Sequence, residues 1–158
     1  MDQTDKTVDF ESLLTDVRQT LASPEASNTK LTELCGLLRK RVPHYDWVGF
    51  YLVDLERERE LILGPYSGDP TDHTRIEFGQ GICGQAADRE ETFVVQDVSK
   101  EDNYLSCSVD VKSEIVVPVF HASSIVGEID IDSHTIAPFT DADRHFLDQV
   151  ASLVAPTL

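Results

Sequence analysis

The chain has 158 residues, which suits a single domain with a core of ordinary size, and 41% of them are hydrophobic. Its formal net charge of −16 opposes binding to nucleic acid or to anionic membrane surfaces, because both carry negative charge. No apolar run approaches membrane-spanning length, and the N-terminus lacks the apolar segment of a secretory signal. A cytoplasmic protein is therefore expected, and its three cysteines do not suggest a framework of structural disulfides.

Two amphipathic helices are predicted at the start of the chain. Residues 9–22 place apolar side chains at helical spacing. Residues 28–41 form the second helix, and Ser27 or Asn28 is its predicted N-cap. Cys35 falls on the apolar face of this second helix, so we interpret it as a core residue.

Aromatic and β-branched runs then predict strands at 47–53, 60–66, 74–78, 92–95, 114–120 and 125–131. The short turns between them favour antiparallel pairing. A final helix is predicted to begin after Thr140, with Asp143 at the capping-box position. The pattern indicates an α+β domain, with a central, mostly antiparallel sheet of about six strands flanked by N-terminal and C-terminal helices.

Two of the cysteines lie in turn-forming segments. Cys83 belongs to the glycine-rich run GQGICG, and Cys107 lies between two serines. A cysteine kept for packing normally lies among aliphatic residues, so we interpret this pair as chemically reactive. A short helix predicted over 85–89 places Cys83 near a helix N-terminus, where the helix dipole favours the thiolate.

An acidic strand is the other candidate site. Glu128, Asp130 and Asp132 alternate with isoleucines and therefore share one face, and Glu114 starts the neighbouring strand. An exposed sheet face would explain the pattern, but three aligned like charges repel each other, and a metal or a ligand ammonium group would relieve that repulsion. No histidine has zinc-ligand spacing and no EF-hand-like loop is present, so no metal is assigned.

Five motifs together carry a family resemblance: WVGFYL (47–52), LGPYSG (63–68), FGQGICG (78–84), KSEIVVPVF (112–120) and GEIDIDS (127–133). In this order and spacing they resemble the GAF-domain family of free methionine-(R)-sulfoxide reductases. The resemblance extends over about residues 31–154. It implies one GAF domain over residues 1–158, in which 1–26 form an N-terminal helix region and 27–158 the GAF core.

The resemblance implies reduction of free L-methionine-(R)-sulfoxide without a cofactor. Cys107 matches the position that we assign as nucleophile, which attacks the sulfoxide sulfur and becomes a sulfenic acid. Cys83 is then the resolving cysteine, which forms a disulfide that thioredoxin reduces as the external reductant. Dimerisation is common in GAF domains, so a homodimer is also expected.

The family's substrate-binding residues match five positions of this chain. Glu114, Asp130 and Asp132 match the carboxylates that hold the substrate amino group and assist in protonating the sulfoxide oxygen. Trp47 and Tyr51 match the aromatic residues that enclose the methyl-sulfur end.

Three departures from the family pattern accompany these matches. His73 stands where family members usually carry a third cysteine, residues 103–106 read NYLS instead of a Gly-His-Ile-Ala type run, and Glu128 replaces a valine. The alternative function is a GAF module without catalysis, which binds a small ligand or signals through a partner.

Overall fold

The computed structural model describes residues 8–105 and 109–158. Within these ranges the helices are α1 (Phe10–Ala22), α2 (Ser27–Arg41), α3 (Gly81–Arg89) and α4 (Asp141–Val154). The strands are β1 (Trp47–Val53), β2 (Glu60–Ser67), β3 (Arg75–Glu77), β4 (Phe93–Val95), β5 (Ser113–His121) and β6 (Ser124–Ser133). None of these helices combines the length and the hydrophobicity needed to cross a membrane.

The six strands form one sheet in the order β3-β2-β1-β6-β5-β4. All neighbouring strands are antiparallel, which confirms the predicted α+β architecture. Strand β6 lies at the centre between β1 and β5. Its Asp132 is opposite Trp47 on one side and opposite Glu114 on the other.

Helices cover both faces of the sheet. Helices α1, α2 and α4 pack on one face, where Leu34, Ile129 and Phe146 belong to the main core. Helix α3 covers the opposite face, where Ile82 and Tyr51 belong to a second, smaller core. Because β6 is central, its residues from Gly127 to Ser133 are buried on both faces of the sheet.

The predicted cap of α2 is wrong. Ser27 and Asn28 lie inside the helix, and Ala26 occupies the N-cap position without a side-chain hydrogen bond. The backbone N–H of Lys30 donates to the carbonyl oxygen of Ala26 at 3.0 Å, so the first turn forms without a polar cap. The predicted ends of β1 are confirmed, and each predicted end of the other strands lies within two residues of the observed end.

The predicted capping box at α4 is confirmed, and it extends into a buried network. The N–H of Thr140 donates to Asp143 at 2.8 Å. The same carboxylate accepts the Tyr45 hydroxyl and bonds to the His44 ring, both at 2.8 Å. Burial on its own raises the pKa of Asp143, but the hydrogen bonds from His44, Thr140 and Tyr45 outweigh it and hold that pKa below its ordinary value. This network fastens α4 to the segment between α2 and β1.

Asp143→Asn should lower the free energy of unfolding by about 2–3 kcal/mol at neutral pH, because the buried network loses its negative charge and one of its two acceptor oxygens. A depressed carboxyl pKa contributes stability above the unfolded-state pKa, and this is lost as pH falls through the folded-state pKa. The difference from wild type should therefore shrink below about pH 4. Urea unfolding of both proteins between neutral pH and pH values below about 4 measures this difference in unfolding free energy, with the exposed Asp141→Asn as control. A pH-independent difference would contradict the prediction.

Candidate active site

The floor of the site is the acidic face of β6, formed by Glu128, Asp130 and Asp132. These side chains are 0%, 1% and 1% exposed, respectively. Glu114 of β5 lies opposite Asp132 and is 5% exposed. The face is therefore buried beneath α3, and an exposed sheet surface does not explain the alternation.

Helix α3 brings Cys83 to this face. The helix begins at Gly81, earlier than the predicted 85–89, so Cys83 lies within its first turn. Gly81 has a φ of 66°, and a Cβ there would lie 2.8 Å from the Leu105 side chain. Glycine is thus required for the helix to start this close to the neighbouring chain.

The thiol of Cys83 is buried among carboxyl groups. It is 4% exposed, and its Sγ donates to Oε2 of Glu114 at 3.8 Å. Burial raises the pKa of this thiol well above its usual range, and the charges of Asp130, Glu128, Glu114 and Asp132 raise it further. The prediction that the helix dipole favours a thiolate here is therefore wrong, since burial and four carboxyl groups outweigh it.

Several buried carboxylate oxygens have no hydrogen-bond partner within residues 8–105 and 109–158. They are both oxygens of Glu128, Oδ1 of Asp130 and Oδ2 of Asp132. Burial raises the pKa of all three carboxyl groups, and repulsion from Asp130 adds to the effect at Glu128 and Asp132. Protons or a bound cation are needed to stabilise such an arrangement.

Two small cavities lie along this face, and each is lined by some of the site residues that the sequence predicted. One, of about 10 Å³, is lined in part by Tyr51, Cys83, Glu114 and Asp130. The other, of about 80 Å³, is lined in part by Trp47 and Asp132. The first is on the order of a single water molecule. The structure therefore brings four of the predicted residues together and places two in the second cavity.

The two aromatic residues hold the connection between β2 and β3 against the site. The hydroxyl of Tyr51 donates to the carbonyl oxygen of His73 at 2.7 Å. The indole N–H of Trp47 donates to the carbonyl oxygen of Asp69 at 2.9 Å, and its ring stacks on Tyr66 with centroids 5.3 Å apart. Both rings are thereby fixed on the face of the sheet that carries the acids.

Asn103 has a positioning role that its sequence context does not indicate. Its side-chain N–H donates to the carbonyl of Gly79 at 2.7 Å, and its side-chain oxygen accepts the N–H of Gly81 at 2.8 Å. Its own carbonyl accepts the Gln85 side chain at 3.0 Å. The chain before residue 106 is thus tied to the start of α3. Cys107, the predicted nucleophile, lies outside the described residues.

Three side chains of the site have the donor set of a metal centre. One ligand atom each from Cys83, Glu114 and Asp130 lies within 4.8 Å of the others. A thiolate with two carboxylates suits a divalent ion such as Zn²⁺. The interpretation that the site works without a metal stays a prediction.

Cys35 is placed as predicted, in the main core. It is fully buried, and its thiol donates to the carbonyl oxygen of Pro65 at 3.7 Å. Burial raises its pKa far above the usual range of a thiol. This core lies on the face of the sheet opposite α3, so Cys35 is away from the acids.

Comparisons of the sequence and of the structure with known proteins find relatives of the same kind. The sequence matches the GAF domain family over residues 11–158. It is 37% identical to GAF domain-containing protein A of Dictyostelium discoideum over 92% of this chain and 89% of that protein. It is 32% identical to the free methionine-R-sulfoxide reductase of Escherichia coli, over 97% of this chain and 90% of that protein. The structure of a free methionine-R-sulfoxide reductase from Neisseria meningitidis in complex with its substrate superposes with a TM-score of 0.87 at 34% identity, covering 94% of this chain and 87% of that one.

Iodoacetamide should alkylate Cys83 at least about 100-fold more slowly in the folded protein than in urea-unfolded protein at about pH 8, because the reactive thiolate is suppressed. Mass spectrometry of the Cys83 peptide over time measures the rate. Cys35 serves as the control for burial away from the acids. Equal rates for Cys83 in the folded and unfolded protein would contradict the geometry described above.

Glu128→Gln should raise the free energy of unfolding by about 1–3 kcal/mol at about pH 8, because an unpartnered buried acid is replaced by a neutral amide. A carboxyl pKa that is raised in the folded state contributes stability below the unfolded-state pKa, and this is lost as pH rises through the folded-state pKa. The gain should therefore vanish near pH 4, close to the ordinary glutamate pKa of about 4.3. Urea midpoints give the comparison, with the exposed Glu25→Gln as the matched control. A loss of stability at about pH 8 would refute it.

Proposed function

This chain belongs to the GAF-domain family of free methionine-(R)-sulfoxide reductases, which are oxidoreductases, and we propose that it reduces free L-methionine-(R)-sulfoxide to methionine. The observation that carries the proposal is a buried thiol beside carboxylate oxygens that have no partner in the described part of the chain. A thiol is the reductant that the reaction needs, and the carboxylates suit a ligand with an ammonium group.

The carboxylates are proposed to recognise the substrate's amino group. Oδ1 of Asp130 and Oδ2 of Asp132 are buried acceptors without a partner in the described ranges. An ammonium group offers three N–H donors and a positive charge, so it satisfies these acceptors and relieves their mutual repulsion. Glu114, which accepts the Cys83 thiol, completes the proposed set and assists in protonating the sulfoxide oxygen.

The burial of the site supports a small, free amino acid as substrate. The cavity at Cys83 has about 10 Å³, so the surrounding side chains have to move apart when a substrate enters. A methionine sulfoxide within a protein would carry its flanking chain into the same buried space. Tyr51 and Trp47 offer rigid aromatic faces for the methyl-sulfur end.

The proposed chemistry uses two cysteines. The Cys107 thiolate attacks the sulfoxide sulfur and forms an S–S bond, and the sulfoxide oxygen takes up a proton. This oxygen then passes to the sulfur of Cys107: the S–S bond and the substrate's S–O bond break as the new S–O bond forms, which leaves a Cys107 sulfenic acid and releases methionine. The Cys83 thiol then attacks the sulfur of Cys107, so an S–S bond forms and water departs. A thioredoxin-like dithiol reduces this disulfide and is itself oxidised.

The described chain supports this assignment of the pair. Leu105 lines the same cavity as Cys83, and Cys107 follows Leu105 by two residues in the sequence. His73 also lines this cavity, where the family's third cysteine would lie, so recycling in this proposal depends on Cys83. A single domain over residues 1–158 and a homodimer belong to the same proposal.

Cys107→Ser should abolish methionine formation, whereas Cys83→Ser should release methionine for one turnover and then stop, because its sulfenic acid has no resolving partner. Two assays measure this: methionine release in a single turnover, and NADPH consumption coupled through thioredoxin. Cys35→Ala is the matched control, because it removes a buried thiol outside the site and should retain turnover.

Full multi-turnover activity of Cys107→Ser would refute the assignment of the nucleophile. Absence of methionine release by wild type in both assays, together with binding of methionine sulfoxide that survives loss of both cysteines, would favour the ligand-binding module instead.

A further inference from the structure

Three side chains from three different elements converge on the smaller cavity of the site. Cys83 belongs to α3, Glu114 to β5 and Asp130 to β6, and all three line this cavity. One ligand atom from each lies within 4.8 Å of the other two. The proposed reaction gives these residues separate roles, but their convergence on one point is what a metal ion requires.

The spacing of the donors is close to that of a zinc centre. Tetrahedral Zn²⁺, with bonds of about 2.3 Å to sulfur and about 2.1 Å to oxygen, holds its ligand atoms about 3.4–3.6 Å apart. Sγ of Cys83 already lies 3.8 Å from Oε2 of Glu114. An inward movement of about 1 Å at the carboxylates therefore brings the set to zinc geometry.

The cavity has room for an ion. Its volume of about 10 Å³ is on the order of one water molecule. Zn²⁺ binds oxygen at about 2.1 Å, whereas a water molecule lies about 2.8 Å from its hydrogen-bonded oxygens, so the ion is the smaller of the two. A substrate has to widen this cavity, but a metal ion fits it without movement of the backbone.

A buried acceptor in the wall of the cavity independently points to a cation. Asp130 is 1% exposed, and its Oδ1 accepts no hydrogen bond among residues 8–105 and 109–158. None of the ion pairs of lysine, arginine or histidine in these ranges involves Asp130. Surface acids satisfy their oxygens with water, whereas this oxygen is removed from solvent. A metal ion bound beside it supplies the missing partner.

The donor set selects among the divalent ions. Mg²⁺ and Ca²⁺ prefer six or more oxygen ligands, whereas Zn²⁺ accepts sulfur together with oxygen in a four-coordinate site. Three protein ligands leave the fourth position of Zn²⁺ to a water molecule. The Cys83 thiol releases its proton to solvent as the S–Zn bond forms, and no atom changes its oxidation state.

We infer that Cys83, Glu114 and Asp130 of the reduced protein bind one Zn²⁺, and that this ion excludes methionine sulfoxide. The ion is then an inhibitor and not a cofactor, because it occupies both a carboxylate proposed for the ammonium group and the thiol proposed to resolve the sulfenic acid. Only the exclusion of substrate rests on the proposed function. The binding of the ion rests on the donor geometry and on the buried acceptor of Asp130.

Cobalt(II) tests the metal site without any substrate. Co²⁺ occupies tetrahedral zinc sites, and a sulfur ligand gives it a charge-transfer band in the near ultraviolet. Untagged wild type, reduced and desalted under nitrogen, should develop this band and saturate at about one equivalent. Zn²⁺ should remove the band by displacement, and excess Mg²⁺ should leave it unchanged. Absence of the band in wild type would overturn the inference.

Variants of the three cysteines identify the sulfur ligand. Cys83→Ser should lose the cobalt band. Cys35→Ala is the matched control, because it removes a buried thiol on the other face of the sheet and should retain the band. Cys107→Ser should retain it as well. A band that survives in Cys83→Ser, or that disappears in Cys107→Ser, would place the metal on a different thiol and overturn the inference.

Competition with a chromophoric chelator measures the affinity for Zn²⁺ and tests the carboxylates. Glu114→Gln and Asp130→Asn should each weaken binding at least about tenfold, since loss of even an outer-shell partner of a metal has this effect. The exposed Glu25→Gln should bind Zn²⁺ as tightly as wild type. Circular dichroism identifies any variant that does not fold. Unchanged affinity in a folded Glu114→Gln or Asp130→Asn would overturn the three-ligand site.

Methionine release in a single turnover tests the exclusion of substrate. Zn²⁺ should raise the methionine sulfoxide concentration that gives half-maximal release by wild type, and EDTA should reverse this. Cys83→Ser lacks the sulfur ligand, so its one turnover should be far less sensitive to Zn²⁺. Equal inhibition of Cys83→Ser and wild type, or no inhibition of zinc-loaded wild type, would overturn the exclusion.

Failure of the proposed function gives a different result from failure of this inference. If wild type does not reduce methionine sulfoxide, the proposed function fails, while the cobalt band still decides whether the metal site exists. If methionine sulfoxide is reduced but Co²⁺ gives no band, the function stands and the metal site is refuted.

Discussion

The chemistry of this site depends on the burial of the acidic face of β6 beneath α3. Strand β6 is central, with β1 and β5 on either side, so its acids have no route to solvent along the sheet. Buried carboxylate oxygens that accept no hydrogen bond hold protons or bind a cation, because both offset the loss of hydration. The same burial raises the pKa of the Cys83 thiol, and the charges of these groups raise it further. One packing arrangement thus accounts for the raised pKa of both the acids and the thiol.

The fold separates the acidic face of β6, where burial of carboxyl groups is unfavourable, from the elements that stabilise the domain. On the other face of β6, Ile129 and Ile131 belong to the main core with α1, α2 and α4. The Asp143 network fastens α4 on that same side of the sheet. The second core beneath α3 is smaller, and the acids with oxygens that have no hydrogen-bond partner among residues 8–105 and 109–158 lie on this face of the sheet. Stability can therefore come from one face while the other retains groups that a purely structural role would not favour.

Local sequence patterns were sufficient to predict the helices and strands, but not to predict which faces of the sheet are buried by other parts of the chain. Helical spacing and β-branched runs predicted the helices and strands, since both depend on neighbouring residues. Alternation showed that Glu128, Asp130 and Asp132 share a face, but burial of that face comes from α3, which tertiary contacts place. The start of α3 was missed because glycine is a poor helix former, so Gly81 resembles a loop residue. The tie through Asn103 joins distant segments, and no local spacing encodes it.

The surroundings of Cys83 agree with the resolving role better than with the nucleophilic one. A nucleophile that attacks a sulfoxide has to ionise before the reaction, and a thiol buried among four acids resists ionisation. A resolving cysteine reacts with a sulfenic acid and loses water, so the proton of its thiol leaves together with the departing hydroxyl. Glu114 accepts that thiol hydrogen at 3.8 Å and is therefore placed to carry the proton. Until a sulfenic acid forms, the acidic surroundings also protect Cys83 from oxidants, because they keep its thiolate fraction small.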